Sequence, residues 1–154
     1  MRIGVPKEIK PQENRIGLTP ESVKALVAEG HEVLVENNGG FEAGFDNNQY
    51  TKAGAKIVNK ASDIFNDAEI IVKVKEPQKV EVDMIRENQI IYTYLHLAAA
   101  KELTEGLIKS KSINIAYETV TDDNGRLPLL APMSAVAGRM SVQAGAHCLE
   151  KNQK

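Results

Sequence analysis

Short apolar runs alternate with amphipathic segments along the whole chain. Six runs rich in β-branched residues are the predicted strands, and they cover residues 1–5, 31–36, 55–58, 70–74, 90–94 and 112–118. Segments with apolar residues at helical spacing separate them, and the predicted helices cover residues 20–29, 48–53, 60–66, 80–87, 101–110 and 133–150. These two periodicities are typical of strands and helices. Their alternation predicts an α/β fold, a mostly parallel sheet with helices on both faces.

The first predicted helix has clear start and stop signals. Thr19 is a capping residue, Pro20 suits the first helical position, and Gly30 is a natural stop. Residues 1–36 therefore form a βαβ unit, for which we expect parallel strands and a right-handed crossover. The glycine-rich segment 37–44 does not contain the spacing G-x-G-x-x-G. We therefore expect a Rossmann-like layer without a dinucleotide fingerprint.

Two helices have faces that predict how they pack. Apolar residues form one face of helix 101–110, namely Leu103, Leu107 and Ile108. Small residues recur at helical spacing in the last helix, namely Ala137, Ser141, Ala144 and Cys148. Because small side chains let another backbone approach closely, this face is expected to pack on the chain's own sheet or against a partner subunit or domain. Cys148 is expected to be a small buried side chain.

The composition is that of an ordinary globular domain. The chain has 154 residues, of which 42% are hydrophobic and 26% charged, and its formal net charge is −2. This charge provides no field that would attract nucleic acid or an anionic membrane. No apolar run approaches the roughly 20 residues that cross a bilayer, and the start lacks the features of a signal peptide. A single cysteine suits a cytoplasmic protein.

Two titratable side chains stand at the ends of consecutive predicted strands. Lys75 follows the strand at 70–74, and His96 follows the strand at 90–94. Because sites in open α/β sheets lie at the carboxyl ends of strands, we expect both in one site. Arg15, in the loop after the first strand, is suited to bind a carboxylate through two parallel hydrogen bonds. The residues alone favour simpler alternatives, with Arg15 and Lys75 as surface charges and His96 as a satisfied, half-buried histidine.

Six segments give the chain a recognisable pattern. They are residues 1–8 (MRIGVPKE), Arg15 with 18–20 (LTP), 72–77 (VKVKEP), 95–98 (LHLA), 116–119 (AYET) and 129–134 (LLAPMS). Together they resemble the amino-terminal, substrate-side domain of NAD-dependent alanine dehydrogenase, from residue 1 to about residue 150. The transhydrogenase alpha subunit is a weaker resemblance because it lacks a histidine at position 96. Saccharopine dehydrogenase is also weaker because it diverges at residues 131–134.

The resemblance implies roles for five residues. Arg15 and Lys75 would bind the carboxylate and carbonyl side of the substrate, and His96 would be the catalytic acid/base. Met133 and Ser134 would lie beside the nicotinamide of NAD. The implied reaction converts L-alanine, NAD and water to pyruvate, ammonium and NADH. No metal is implied, and a further catalytic aspartate would belong to the nucleotide-binding domain that follows in the family.

The resemblance also implies a domain organisation. Residues 1–132 would be the substrate-side domain, and residues 133–154 a connecting helix toward a NAD-binding domain outside this chain. We therefore expect a truncated chain that is inactive alone, and a homo-oligomer formed through helix 133–150. The alternative functions are the amino-terminal domain of one of the two weaker relatives, or a non-catalytic module that binds pyruvate or associates with a partner chain.

Overall fold

The computed structural model describes residues 1–151, and it contains two compact units. The first unit is Met1–Ala116, and the second begins at Tyr117. The first unit holds the whole sheet and the three residues Arg15, Lys75 and His96. The predicted boundary at residue 132 separates a substrate-side domain from a connecting helix according to their expected roles, and it stays a prediction.

The first unit is built on a six-stranded sheet. The strands are β1 (Arg2–Val5), β2 (Glu32–Glu36), β3 (Lys56–Val58), β4 (Ile70–Val72), β5 (Ile90–Thr93) and β6 (Ile113–Ala116). Their order across the sheet is β3-β2-β1-β4-β5-β6, and every neighbouring pair is parallel. The predicted fold class is therefore confirmed.

An α-helix follows each strand, and all of these helices except the last connect successive strands. They are α1 (Pro20–Ala28), α2 (Asn47–Lys52), α3 (Ala61–Asp67), α4 (Lys79–Val82), α5 (Lys101–Ser110) and, in the second unit, α6 (Ala131–Cys148). As predicted, Thr19 caps α1, since its side-chain oxygen accepts a hydrogen bond from the Ser22 amide at 3.2 Å. Pro20 occupies the first turn, and Gly30 follows the helix with φ of 82°. The described helices are not long and apolar enough to cross a membrane.

Alternate residues of each strand face two separate hydrophobic cores. One core combines Ile3, Val5, Val33 and Val35 with Val23 of α1 and Tyr50 of α2. The other combines Leu34, Ile71 and Ile91 with Ile64 and Phe65 of α3 and Leu107 of α5. Since consecutive strand residues point to opposite faces, this alternation confirms that helices cover both faces of the sheet.

The predicted helix 80–87 is wrong in length, because α4 ends at Val82. Two side chains that follow α4 bind the carbonyl groups at the end of α3. Arg86 donates to the carbonyl oxygens of Phe65 and Ala68 at 3.1 and 2.7 Å, and Gln89 donates to the same two oxygens at 2.8 and 2.9 Å. These bonds hold the segment 83–89 in a non-helical path. They compensate for the carbonyl groups that a helix end leaves without intrahelical partners.

Three smaller expectations are also corrected. Ile108 is 71% exposed, because the buried stripe of α5 passes through Leu107 and the half-buried Leu103. The strands β4 and β6 end earlier than predicted, at Val72 and Ala116, and a short 3₁₀ turn follows β6.

The last helix, α6, begins two residues before the predicted start at Met133. Its small-residue face is exposed, and so is Cys148, which was expected to be buried.

Replacement of Ile91 by alanine is expected to lower the free energy of unfolding by about 3 kcal/mol, because the side chain is fully buried in the core that also contains Ile71 and Leu107. Ile113→Ala is the matched control on the neighbouring strand, where the side chain is 50% exposed, and it should cost less than about 1 kcal/mol. Equilibrium unfolding in urea measures both values. Equal losses would contradict the assignment of Ile91 to the core.

Candidate functional site

The predicted site residues leave the sheet from three adjacent strands. Arg15 lies in the loop after β1, Lys75 follows β4, and His96 follows β5, and these strands are neighbours in the sheet. The chain runs outward from β1 through β2 to β3, and then returns to place β4 on the other side of β1. The gap between β1 and β4 is therefore a topological switch point, where open α/β sheets form ligand-binding crevices.

The loop after β1 lies directly against the end of β4. A side chain at Gly17 would place its Cβ 2.5 Å from the carbonyl oxygen of Val72, so only glycine allows this approach. This contact brings the Arg15 segment and the Lys75 segment together at the switch point.

A buried cluster of charges lies beneath the switch point. The Lys73 side chain is fully buried, and its ammonium contacts the carboxylates of Glu8 at 3.1 Å and Glu81 at 2.8 Å. The other oxygen of Glu8 accepts hydrogen bonds from the backbone amides of Val74 at 2.6 Å and Lys75 at 3.2 Å. Burial raises the pKa of Glu81, which Lys73 offsets only in part. Glu8 thus fixes the backbone that carries Lys75.

Arg15 is held by an acidic neighbour in its own loop. Its Nε and Nη2 donate to the two carboxylate oxygens of Glu13 at 2.8 and 2.6 Å, a bidentate pair. The hydrogen bond from Arg15, aided by the charge of Lys75, lowers the pKa of Glu13 to about 2. The same hydrogen bond raises the pKa of Arg15. The Glu13 side chain is 7% exposed and that of Arg15 49%, so the guanidinium reaches solvent while its carboxylate partner does not.

His96 has an unusual backbone and a fixed ring. Its φ of 51° and ψ of 37° lie in the left-handed region, which non-glycine residues seldom adopt. The imidazole stacks on the Tyr94 ring at a centroid distance of 6.2 Å, and its Nδ1 lies 3.4 Å from Glu76 Oε2. The other carboxylate oxygen of Glu76 forms an ion pair with Lys10. Backbone strain of this kind clusters at functional sites, and it supports a functional interpretation of His96.

Shared neighbours connect the three predicted residues. The charge of Lys75 contributes to the lowered pKa of Glu13, the partner of Arg15, and Tyr94 is near enough to contribute to the raised pKa of Arg15. Tyr94 stacks on His96. The three side chains thus belong to one neighbourhood at the carboxyl edge of the sheet, and their roles stay predictions.

Two features of the surroundings qualify this picture. A hollow of about 290 Å³ is lined by Arg15 and Glu13, but Lys75 and His96 are not among its lining residues. Met133 and Ser134 lie in the first turn of α6, in the second unit. Met133 is half-buried, and Ser134 donates its hydroxyl to the carbonyl oxygen of Leu130 at 3.3 Å. A contact of this pair with a cofactor stays a prediction.

Sequence reasoning missed the residues that hold the site. These residues are Glu8, Lys73 and Glu81 in the buried cluster, Glu13 beside Arg15, and Glu76 with Lys10 beside His96. A local signal existed for Glu13, which precedes Arg15 by two residues. Periodicity gave no signal for the others, because their partners are distant in the chain.

The fold and site define a parallel α/β domain whose polar residues gather at a switch point. A family model described as alanine dehydrogenase/PNT, N-terminal domain, matches residues 4–137, so the chain belongs to this family. This confirms the predicted resemblance.

The chain is 53% identical to an alanine dehydrogenase of Halomonas elongata and 52% identical to one of Geobacillus stearothermophilus. The matches cover 99% and 98% of this chain, and 41% of each relative. A solved L-alanine dehydrogenase superposes with a TM-score of 0.92 at 54% identity, covering 99% of this chain and 42% of that one. A transhydrogenase from Sinorhizobium meliloti superposes with a TM-score of 0.75 at 26% identity, covering 80% and 35%. The chain therefore spans about two-fifths of the length of these relatives.

The Glu13–Arg15 pair predicts a dependence of stability on pH. Since the pKa of Glu13 falls from 4.5 to about 2 on folding, its contribution is present above about pH 4.5 and is lost as the pH falls toward 2. Glu13→Gln should therefore lower the free energy of unfolding by about 1 kcal/mol at neutral pH, a value reduced for the exposed Arg15. The difference from the wild type should shrink toward pH 2.

Urea unfolding across this pH range measures the effect. The exposed Glu29→Gln is the control, and it should show little difference from the wild type at any pH. A Glu13→Gln difference that stays constant down to pH 2 would show that the pair does not titrate as described.

Proposed function

We propose that this chain provides the substrate-binding part of an alanine dehydrogenase, which oxidises L-alanine to pyruvate and ammonium with NAD. The observation that carries the proposal is the neighbourhood of Arg15, Lys75 and His96 at the switch point between β1 and β4. Membership of the family supports it. The substrate is a small amino acid, for which a carboxylate clamp, a cation and an acid/base suffice.

Arg15 binds the substrate carboxylate. Glu13 pairs with the edge of the guanidinium formed by Nε and one Nη2 hydrogen. Another edge, formed by Nη1 and the second Nη2 hydrogen, has the spacing that matches a carboxylate. Glu13 therefore sets the direction in which Arg15 presents this edge. An arginine that holds the substrate carboxylate in one orientation also makes the α-hydrogen of a small substrate point in one direction.

Lys75 stabilises negative charge that develops on the substrate oxygen. Its backbone is fixed on both sides, because its amide donates to Glu8 and its carbonyl oxygen accepts a hydrogen bond from the Thr93 hydroxyl at 2.8 Å. An ammonium on a fixed backbone can act without large reorganisation, which is how preorganised charges lower a barrier.

His96 transfers the proton during formation and breakdown of the carbinolamine. Imidazole is the side chain whose ordinary pKa suits proton transfer near neutrality. The ring follows the end of β5, is half exposed, and lies 3.4 Å from the carboxylate of Glu76, the residue next to Lys75. Such exposure allows contact with a substrate.

The residues of this chain suit only the nicotinamide end of the cofactor NAD. NAD, when bound, accepts the hydride from the α-carbon of the substrate. The thioether of Met133 and the hydroxyl of Ser134 suit the ring and amide of a nicotinamide. The 154 residues contain no G-x-G-x-x-G loop for the pyrophosphate, so the rest of the cofactor would bind elsewhere.

Two further proposals concern the oligomeric state and the cellular location of the chain. The exposed small-residue face of α6 supports a homo-oligomer formed through residues 133–150. The single cysteine supports a cytoplasmic location, because it cannot form an internal disulfide. Transhydrogenase function is the weaker alternative, because the matched transhydrogenase is 26% identical to this chain and the matched alanine dehydrogenase is 54% identical.

Titration of the chain with pyruvate tests the proposed clamp. Calorimetry should detect binding by the wild type, and Arg15→Ala should weaken the affinity at least about tenfold, because a bidentate charged pair is lost. Arg2→Ala is the matched control, since Arg2 is also a half-exposed arginine paired with a glutamate, at the opposite end of β1. Equal affinities of Arg15→Ala and the wild type would contradict the proposal.

A further inference from the structure

We propose that Glu76, held by Lys10, fixes the His96 imidazole in the tautomer that carries its proton on Nδ1. The lone pair then lies on Nε2, on the side of the ring that faces away from Glu76. Glu76 is in this account a positioning residue. The statement that Nε2 exchanges the substrate proton rests on the proposed function, whereas the tautomer itself does not.

The first observation is an unsatisfied carboxylate oxygen. Glu76 Oε1 forms an ion pair with Lys10, which fixes the carboxylate. Oε2 is buried, and the described residues give it no partner within hydrogen-bond geometry. The Nδ1 atom of His96 lies 3.4 Å away, just outside a good hydrogen bond. Because a buried oxygen without a donor is costly, a proton on Nδ1 directed at Oε2 is the favoured arrangement.

The second observation is that the imidazole is held in place. The residue before His96, Leu95, is 1% exposed and anchors the backbone at this point. The left-handed backbone of His96 then sets the direction in which its side chain leaves the chain. Tyr94 stacks on one face of the ring with an interplanar angle of 26°. These constraints oppose a ring flip that would exchange the two nitrogens.

The third observation is that Glu76 is ionised at neutral pH. Burial by itself raises the pKa of Glu76, but the hydrogen bond and the charge of Lys10, with a smaller effect of the nearby His96 ring, outweigh burial, and the pKa lies below its usual value. A carboxylate accepts a proton from an N–H group and cannot donate one. Nδ1 must therefore be the protonated nitrogen whenever this contact forms, a pattern by which carboxylates select histidine tautomers.

Nitrogen-15 chemical shifts of the histidine rings test the inference without substrate. In neutral His96 of the wild type, the Nδ1–H form should predominate, with Nε2 showing the shift of an unprotonated nitrogen. Glu76→Ala should reduce the ratio of Nδ1–H to Nε2–H by roughly tenfold, the effect of one charge-assisted hydrogen bond. Glu76→Gln keeps an acceptor oxygen and should restore most of the Nδ1–H form.

The other histidines serve as internal controls. His31 and His147 have their own neighbours, the amino group of Met1 and Glu150, so their tautomers should not respond to Glu76. A wild-type His96 with the proton mainly on Nε2 would overturn the inference, and this result requires no variant. An unchanged ratio in a folded Glu76→Ala variant would also overturn it. The pyruvate titration fails or succeeds independently of either result.

Discussion

The carboxylate of Glu8 joins the two strands between which the candidate site lies. It follows β1, and it binds three groups that follow β4: the ammonium of Lys73 and the amides of Val74 and Lys75. The contacts with Lys73 and Val74 are buried, and the contact with Lys75 is partly buried. Removal of one partner of a buried ion pair costs about 3–5 kcal/mol. Lys73 has a second carboxylate, Glu81, which also caps α4. The geometry of the β1–β4 crevice therefore depends on this cluster.

Arg15, Lys75 and His96 each have a different carboxylate partner. Glu13 binds the guanidinium of Arg15, Glu8 binds the amide of Lys75, and Glu76 faces the imidazole of His96. The separation between exposed functional side chains and less exposed carboxylate partners has a physical reason. A charged side chain that must contact a substrate has to remain accessible, so its orientation comes from buried or half-buried neighbours. Arg15 and His96 are about half exposed, whereas the side chains of Glu13 and Glu76 are 7% and 17% exposed.

Local patterns were enough to predict the parallel sheet, because strand alternation and helix caps act within a few residues. Predictions failed where distant contacts decide the structure. The helix at 80–87 stops at Val82 because Arg86 binds the end of α3, about 20 residues earlier. Lys73 is fully buried between two carboxylates, and one of them, Glu8, is 65 residues away in the chain. Arg15, Lys75 and His96 could be placed at strand ends, but their carboxylate partners follow no periodicity.

Hydrogen exchange at the backbone amides of Val74 and Lys75 tests the role of Glu8 most directly. We predict strong protection of both amides in the wild type, comparable with that of the Ile91 amide in β5, which lies between β4 and β6. Glu8→Ala should remove the protection of these two amides selectively, with a smaller loss at Ile91. Rapid exchange of Val74 and Lys75 in the wild type would contradict the account, because it would show that Glu8 does not hold the two strands together.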